Sequence, residues 1–148
     1  MKPIAQLAAI LALVIAAAGT TYWLKGPPVR IFLCDPANLK ADEVCLAQVS
    51  PNAKILWVDA RSRTDWQKSG LPGSVLWNLA PSEDMQAFEA DIAARIIDTP
   101  RVIVYCGDEN CGLSRQIAAR IRQLQLGADV SVLRGGWRAI NDAGLTRH

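Results

Sequence analysis

Two cysteines, Cys106 and Cys111, bracket a polar loop made of Gly107, Asp108, Glu109 and Asn110, with Gly112 just beyond. The apolar run before it, residues 102–105, reads as a buried strand, and a helix is expected to start near Leu113. The loop therefore joins the carboxyl end of a strand to a helix N-terminus, where open α/β sheets bind their ligands. Such a turn aims several backbone N–H groups at one point, and the helix end adds about half a positive charge. Both favour a thiolate, so Cys106 is the candidate nucleophile. The same amides, with Ser114 and Arg115, form a candidate cradle for an anionic sulfur donor or a persulfide. Asp108 and Glu109 oppose this, because nearby carboxylates repel anions and disfavour the thiolate. Cys111 is the candidate resolving thiol, reaching Cys106 if the two Cα atoms come within ~7 Å. The bland alternatives are a small buried hydrophobe at 106 and an incidental thiol at 111.

The rest of the composition excludes other chemistries. The one histidine, His148, is the last residue, which argues against a histidine base or a multi-histidine metal site. Two cysteines with Asp108 and Glu109 lack the ligand spacing of zinc motifs, so no metal is expected, and no cofactor is implied. A net charge of +2 with no basic stripe gives no reason to expect nucleic acid. With 51 % hydrophobic and 20 % charged residues over 148 positions, the chain is globular in composition.

The elements that must position the loop follow from the hydrophobic pattern. Residues 55–58 (Ile55-Leu56-Trp57-Val58) form a continuous apolar run, as expected of a strand covered on both faces. A second short strand is expected over 74–77, after the turn Leu71-Pro72-Gly73. Ser82 is the expected cap of a helix whose stripe is Met85, Phe88, Ile92 and Ile96, ended by Thr99-Pro100. Beyond the loop, Ile117, Ile121 and Leu124 define a buried face, Arg115, Arg120 and Arg122 a wet one, and Gly127 the stop. Residues 130–133 form the last strand, and Gly135-Gly136-Trp137 opens a short terminal helix. Further upstream, 29–33 reads as extended, and the helix formers over 39–49 predict a first helix ending at Ser50-Pro51. Strands alternating with helices imply an α/β fold, a parallel-type sheet with helices on both faces. Trp57 and Trp77 are expected in the core, and Trp66 at the edge of the cleft.

The N-terminus is different in kind. From Ile4 to Leu24 about 21 residues carry no charge, enough at ~1.5 Å per residue to cross a ~30 Å hydrocarbon layer. Tyr22 and Trp23 suit the headgroup region, and Gly26-Pro27-Pro28 breaks any helix. One N-terminal transmembrane helix is the expectation, and the competing one is a signal cleaved after Ala16-Ala17-Ala18. Lys2 on one side and Lys25 with Arg30 on the other nearly cancel as orientation signals; the short N-terminal tail favours a periplasmic or extracytoplasmic domain. Cys34 and Cys45, with ten residues between them, are either a disulfide, as export would favour, or core thiols. The expected organisation is an anchor or signal over 1–25, a linker and first helix over 26–50, and the catalytic-type domain over 51–148.

Four motifs in order give this domain a resemblance. Val58-Asp59-Ala60-Arg61, Gly70-Leu71-Pro72-Gly73-Ser74, Val104-Tyr105-Cys106 and Val132-Leu133-Arg134-Gly135-Gly136-Trp137 are similar to the corresponding stretches of the rhodanese family. The resemblance implies a rhodanese-like sheet and a Cys106 that accepts sulfane sulfur as a persulfide and passes it to a thiophilic acceptor. Asp59 and Arg61 could be read as catalytic, but an Asp at a strand end that organises the neighbouring loops through hydrogen bonds and a salt bridge is the reading taken, so both are expected to be structural. The chain departs from the family at the loop: seven residues separate Cys106 from Ser114, two more than is usual, and Leu113 stands where the family has arginine. Ser69-Gly70 stands where the family has a histidine before Leu-Pro-Gly. The leading expectation is thus a sulfur-transfer or persulfide-carrying protein at a membrane surface, with a small sulfur donor or thiol acceptor and a possible membrane-protein partner. The alternatives are a dithiol redox protein using Cys106 and Cys111, and a non-catalytic rhodanese-fold binding module.

Overall fold

The expected strands over 55–58, 102–105 and 130–133 become the central strands of a parallel sheet, the first two apolar on consecutive residues and the third carrying Ser131 between Val130 and Val132. The computed structural model describes residues 2–25, 32–107 and 112–146. The chain divides into two compact units, Met1–Ile31 and Phe32–His148.

The first unit contributes helix α1 (Lys2–Lys25), 24 residues long. Leu7, Ile10, Leu11, Leu13, Val14 and Ile15 all lie 58–71 % exposed along it. Among the described residues, no helix is long and apolar enough to cross a membrane. The membrane span expected over 4–24 is therefore not shown by the described residues.

The second unit holds strands β1 (Glu43–Val44), β2 (Leu56–Asp59), β3 (Val75–Leu76), β4 (Arg101–Tyr105) and β5 (Asp129–Leu133). They pair in the order β1-β5-β4-β2-β3, every neighbour parallel. The helices are α2 (Arg63–Ser69), α3 (Met85–Ile96), α4 (Gly112–Gln123) and α5 (Gly136–Asp142). Side chains alternate across each strand. Leu56 and Val58 of β2, Val102 and Val104 of β4, and Val130 and Val132 of β5 pack with Ile92 and Ile96 of α3 and Ile117, Ala118 and Ile121 of α4. Ile103, Tyr105 and Leu133 face the other way, onto Ala139 and Ile140 of α5, with Trp57 and Trp137 beside them. The sheet is therefore covered on both faces, which explains why β2 and β4 lack a polar alternation.

Local chemistry sets the ends. Asp84, and not the expected Ser82, caps α3: its carboxylate accepts the Ala87 N–H at 3.0 Å. The short helix α2, not foreseen as an element, is capped by Ser62, whose Oγ accepts from Asp65 N at 3.1 Å. The helix expected over 39–49 does not form. That segment instead supplies β1, paired with β5 through Glu43–Val132 and Val44–Leu133, and a 3₁₀ turn at Leu46–Gln48. A disulfide joins Cys34 to Cys45, their Cα atoms 5.7 Å apart. Edge pairing and this crosslink outweigh a local helix propensity of a few tenths of a kcal/mol per residue. Of the extended run expected over 29–33, residues 29–31 lie outside the described residues, and Phe32 and Leu33 have no regular structure.

Candidate functional site

The chain leaves β2 towards β3 on one side and leaves β4 towards β5 on the other. The crevice at the carboxyl ends of β2 and β4 is the topological switch point, where ligands bind in sheets of this type. Asp59 and Tyr105 are paired neighbours at that end, so the segments 59–61 and 105–107 lie side by side there. Trp77, at the end of β3, is fully buried.

Cys106 follows β4 directly. It is 3 % exposed and belongs to the apolar cluster on the α3 and α4 face, with Val58, Ala60 and Val104. Its carbonyl accepts the Trp137 N–H at 2.7 Å, which fastens the Cys106 peptide to the first turn of α5. Gly107 comes next, with α4 beginning at Gly112. Asp108, Glu109, Asn110 and Cys111, four of the expected site residues, lie outside the described residues. Ser114 is fully buried on α4.

Asp59 and Arg61 are joined beneath this turn. Arg61 donates from Nε to Oδ1 at 3.1 Å and from Nη2 to Oδ2 at 2.8 Å, while its own N–H donates to Oδ1 at 2.9 Å. Both side chains are nearly out of water, at 7 % and 0 % exposure. The remaining guanidinium donors reach Ser69 Oγ at 3.3 Å and the Asp65 carbonyl at 3.4 Å. The Arg61 guanidinium lies over the Trp137 ring, 5.1 Å from its centroid, and 5.8 Å from that of Tyr105. A β-carbon at Gly107 would rest on the Arg61 stem at 3.6 Å. Arg61 thus acts as a strut: its charge is spent on Asp59, and its body supports the turn after Cys106.

Tyr105 belongs to the same scaffold. Its hydroxyl accepts the Leu71 N–H at 3.1 Å and donates to Ser74 Oγ at 3.3 Å, tying β4 to the Leu-Pro-Gly turn. Burial, then the Asp59 charge, push its phenol up to about 12, so it stays protonated at neutral pH. Trp66 donates from Nε1 to the Ser74 carbonyl at 3.2 Å, and Trp137 from Nε1 to the Ser69 carbonyl at 3.0 Å.

Arg115 does not face water as expected. It is half-buried and ion-paired to Glu43 of β1, whose side chain is 1 % exposed and also draws Arg134 to 3.7 Å. A buried carboxylate at the sheet edge needs positive partners, and α4 supplies one. Burial pushes the Glu43 carboxyl up, but the Lys40 N–H, Arg115 and Arg134 outweigh it and hold the group below its usual 4.5. A carboxyl lowered by folding stabilises fully above its unfolded value and loses that contribution as pH falls through the folded one. Urea midpoints of the wild type should therefore drop below about pH 4.5, and the gap to Glu43→Gln should narrow there.

Sequence reasoning did not foresee Glu43 as the partner of Arg115, or the Trp137 bond to the Cys106 carbonyl. The Gly-Gly-Trp motif marked Trp137 only as a packing ring, and the contact arises from topology across 31 positions of chain. Both arginines near the turn, Arg61 and Arg115, are thus engaged by carboxylates, Asp59 and Glu43. Among the described residues, no cluster of three or more histidine, cysteine, aspartate or glutamate side chains is placed to hold a metal ion.

Comparison with known proteins agrees with this architecture. The BH2092 protein from Bacillus halodurans has a similar structure, with a TM-score of 0.55 at 22 % identity over 71 % of this chain and 75 % of that one. A thiosulfate sulfurtransferase from Pseudomonas aeruginosa gives 0.51 at 22 % identity over 73 % of this chain, but only 19 % of its own length. The As-Sb reductase from Leishmania major gives 0.48 at 21 % identity, over 63 % and 70 % of the two chains. None of the curated proteins matches the chain. For the first two structures, at 22 % identity, the likeness is one of fold. The family model described as the rhodanese-like domain matches residues 43–143, from the first residue of β1 to just past α5. The match takes in all five strands, the Asp59–Arg61 strut and the Cys106 turn, and the chain belongs to the rhodanese-like domain family.

Proposed function

We propose that this protein carries or transfers sulfane sulfur on Cys106 at a membrane surface. The observation that carries the reading is the position of Cys106: the residue after the central strand β4, at the switch point, with α4 beginning six positions on. In the forward step the Cys106 thiolate attacks the outer sulfur of a donor persulfide or polysulfide. The S–S bond of the donor breaks, its thiolate leaves, and Cys106 holds a persulfide. An acceptor thiolate then takes the outer sulfur and regenerates the Cys106 thiolate. Cys111 is assigned as the resolving thiol: its attack on the inner sulfur forms a Cys106–Cys111 disulfide and expels hydrosulfide. In this reading Gly107, Asp108, Glu109, Asn110, Gly112 and Ser114 are assigned to substrate binding, with loop amides as the anion holders.

The membrane location rests on α1, whose described residues 6–20 carry no charge and expose their apolar side chains. In this reading α1 is an uncleaved anchor and the domain is extracytoplasmic, in a compartment oxidising enough for the Cys34–Cys45 disulfide to form. A thiol map by mass spectrometry of the protein isolated from its native membrane, with and without added polysulfide, tests both parts. The expected result is one extra sulfur atom on Cys106, removable by a thiol reductant, with Cys34–Cys45 oxidised. Cys106 remaining an unmodified thiol under saturating donor would sink the sulfur reading. A Cys106–Cys111 disulfide that forms without any donor would favour the dithiol redox reading instead.

A further inference from the structure

Residues 32–42 precede the part of the chain that the family model matches, which begins at 43, yet they are fastened to the functional end of the fold. The Phe32 N–H donates to Asp142 Oδ2 at 2.7 Å, at the last residue of α5. At the other end of that helix the Phe32 ring fills the space over Gly135: a β-carbon there would lie 2.2 Å from the ring. One residue therefore holds a seven-residue helix at both ends. Two positions on, Cys34 is bonded to Cys45, the residue after β1, and β1 is paired with β5. The disulfide closes these residues into a loop anchored on the sheet.

The load passes on to Cys106. The first turn of α5 gives the Cys106 carbonyl its hydrogen bond from Trp137, and the Trp137 ring bears on Arg61, whose stem underlies Gly107. We infer that residues 32–45 are a redox-controlled strap: with Cys34–Cys45 oxidised, Phe32 clamps α5 and keeps the Cys106 turn closed. A dithiol reductant opens the strap by two-electron exchange, ending as a disulfide itself and leaving Cys34 and Cys45 as thiols. Phe32 is then tethered to the sheet only through the flexible chain up to β1, so its effective concentration at α5 falls. The turn loosens, and the buried Cys106 thiol becomes accessible. This rests on Cys106 being the working thiol of the site, but its readout does not depend on sulfur transfer.

The test compares the full chain in detergent as wild type, as Cys34→Ser/Cys45→Ser and as Phe32→Ala. Cys106 alkylation by iodoacetamide is followed at peptide level, with amide hydrogen exchange over 136–142 and over 101–105. Both variants should raise the Cys106 alkylation rate at least about fivefold and speed exchange in α5, while β4 stays protected. A dithiol reductant should accelerate the wild type but leave Phe32→Ala unchanged. Phe32→Ala keeps the crosslink, so it decides alone if the cysteine variant fails to fold. Wild-type alkylation rates in folded Phe32→Ala would overturn the strap. A Cys106 that accepts no sulfur but shows these rate changes would overturn the sulfur reading and leave the strap standing.

Discussion

Asp59→Ala is expected to destabilise the domain by about 3–5 kcal/mol, because it leaves the Arg61 charge buried without its counter-ion. Arg61 is 7 % exposed, and two of its nitrogens donate to the Asp59 carboxylate. Its remaining partners, Ser69 Oγ and the Asp65 carbonyl, lie at 3.3 and 3.4 Å and are neutral. They cannot neutralise the cation. Urea denaturation of the wild type, both single variants and the double Asp59→Leu/Arg61→Met measures the effect, since a shift in midpoint at constant slope reports stability. The double variant should recover most of the loss, as apolar replacements of buried pairs commonly do. Tyr105 supplies a second readout. Its phenol is held near 12 by burial first and Asp59 second, so the Asp59→Ala variant should titrate lower than the wild type without returning to 10. A loss below about 1 kcal/mol would mean that Arg61 reaches water, which its burial argues against.

The second large effect is on chemistry. Cys106→Ser should lower sulfur transfer from polysulfide to a small thiol by at least about 10³-fold, because serine forms no persulfide and, among the described residues at the end of β4, no other thiol replaces it as a covalent nucleophile. Stability should change little, since the serine takes nearly the same volume, although its hydroxyl sits at a site only 3 % exposed. Cys111→Ser separates the mechanisms. If Cys111 resolves the persulfide, this variant accumulates sulfur-loaded Cys106 and releases less hydrosulfide, while transfer to an external thiol persists. If the pair is a redox dithiol, either substitution abolishes the activity equally. Loss of both the adduct and transfer in Cys111→Ser alone would move the nucleophile to 111.

How much of this was readable in the sequence depends on length scale. The runs at 55–58 and 102–105 announced β2 and β4 because each is apolar on consecutive residues, as a doubly covered strand requires, and 130–133, interrupted by Ser131, announced β5 by its β-branched residues and its place after the Gly127 stop. The helix faces of α3 and α4 were equally plain, through Ile92 and Ile96 and through Ile117 and Ile121. β1 was not, because two residues carry no periodicity. Its segment holds Leu39, Lys40, Ala41, Glu43, Leu46 and Ala47, good helix formers that tertiary pairing overrides. At the site, the Asp-x-Arg and Gly-Gly-Trp motifs marked positions, whereas the contacts that give them meaning span the fold. Arg61 against Trp137 and Glu43 against Arg115 are separated by more than seventy positions of chain. No local rule relates residues at such distances; only the strand order does.

That strand order also bears on how the protein behaves in a crowded compartment. The sheet ends at β1 on one side and β3 on the other, each only two residues long. A long flat edge is a template onto which another chain can add, and sheet proteins suppress such growth by keeping their outer strands short or charged. Here the outermost strands offer too few open backbone groups to nucleate addition, and one of them carries Glu43. The folded domain should consequently resist strand-by-strand aggregation, and any self-association will proceed through side chains or through its N-terminal helix rather than by extending the sheet.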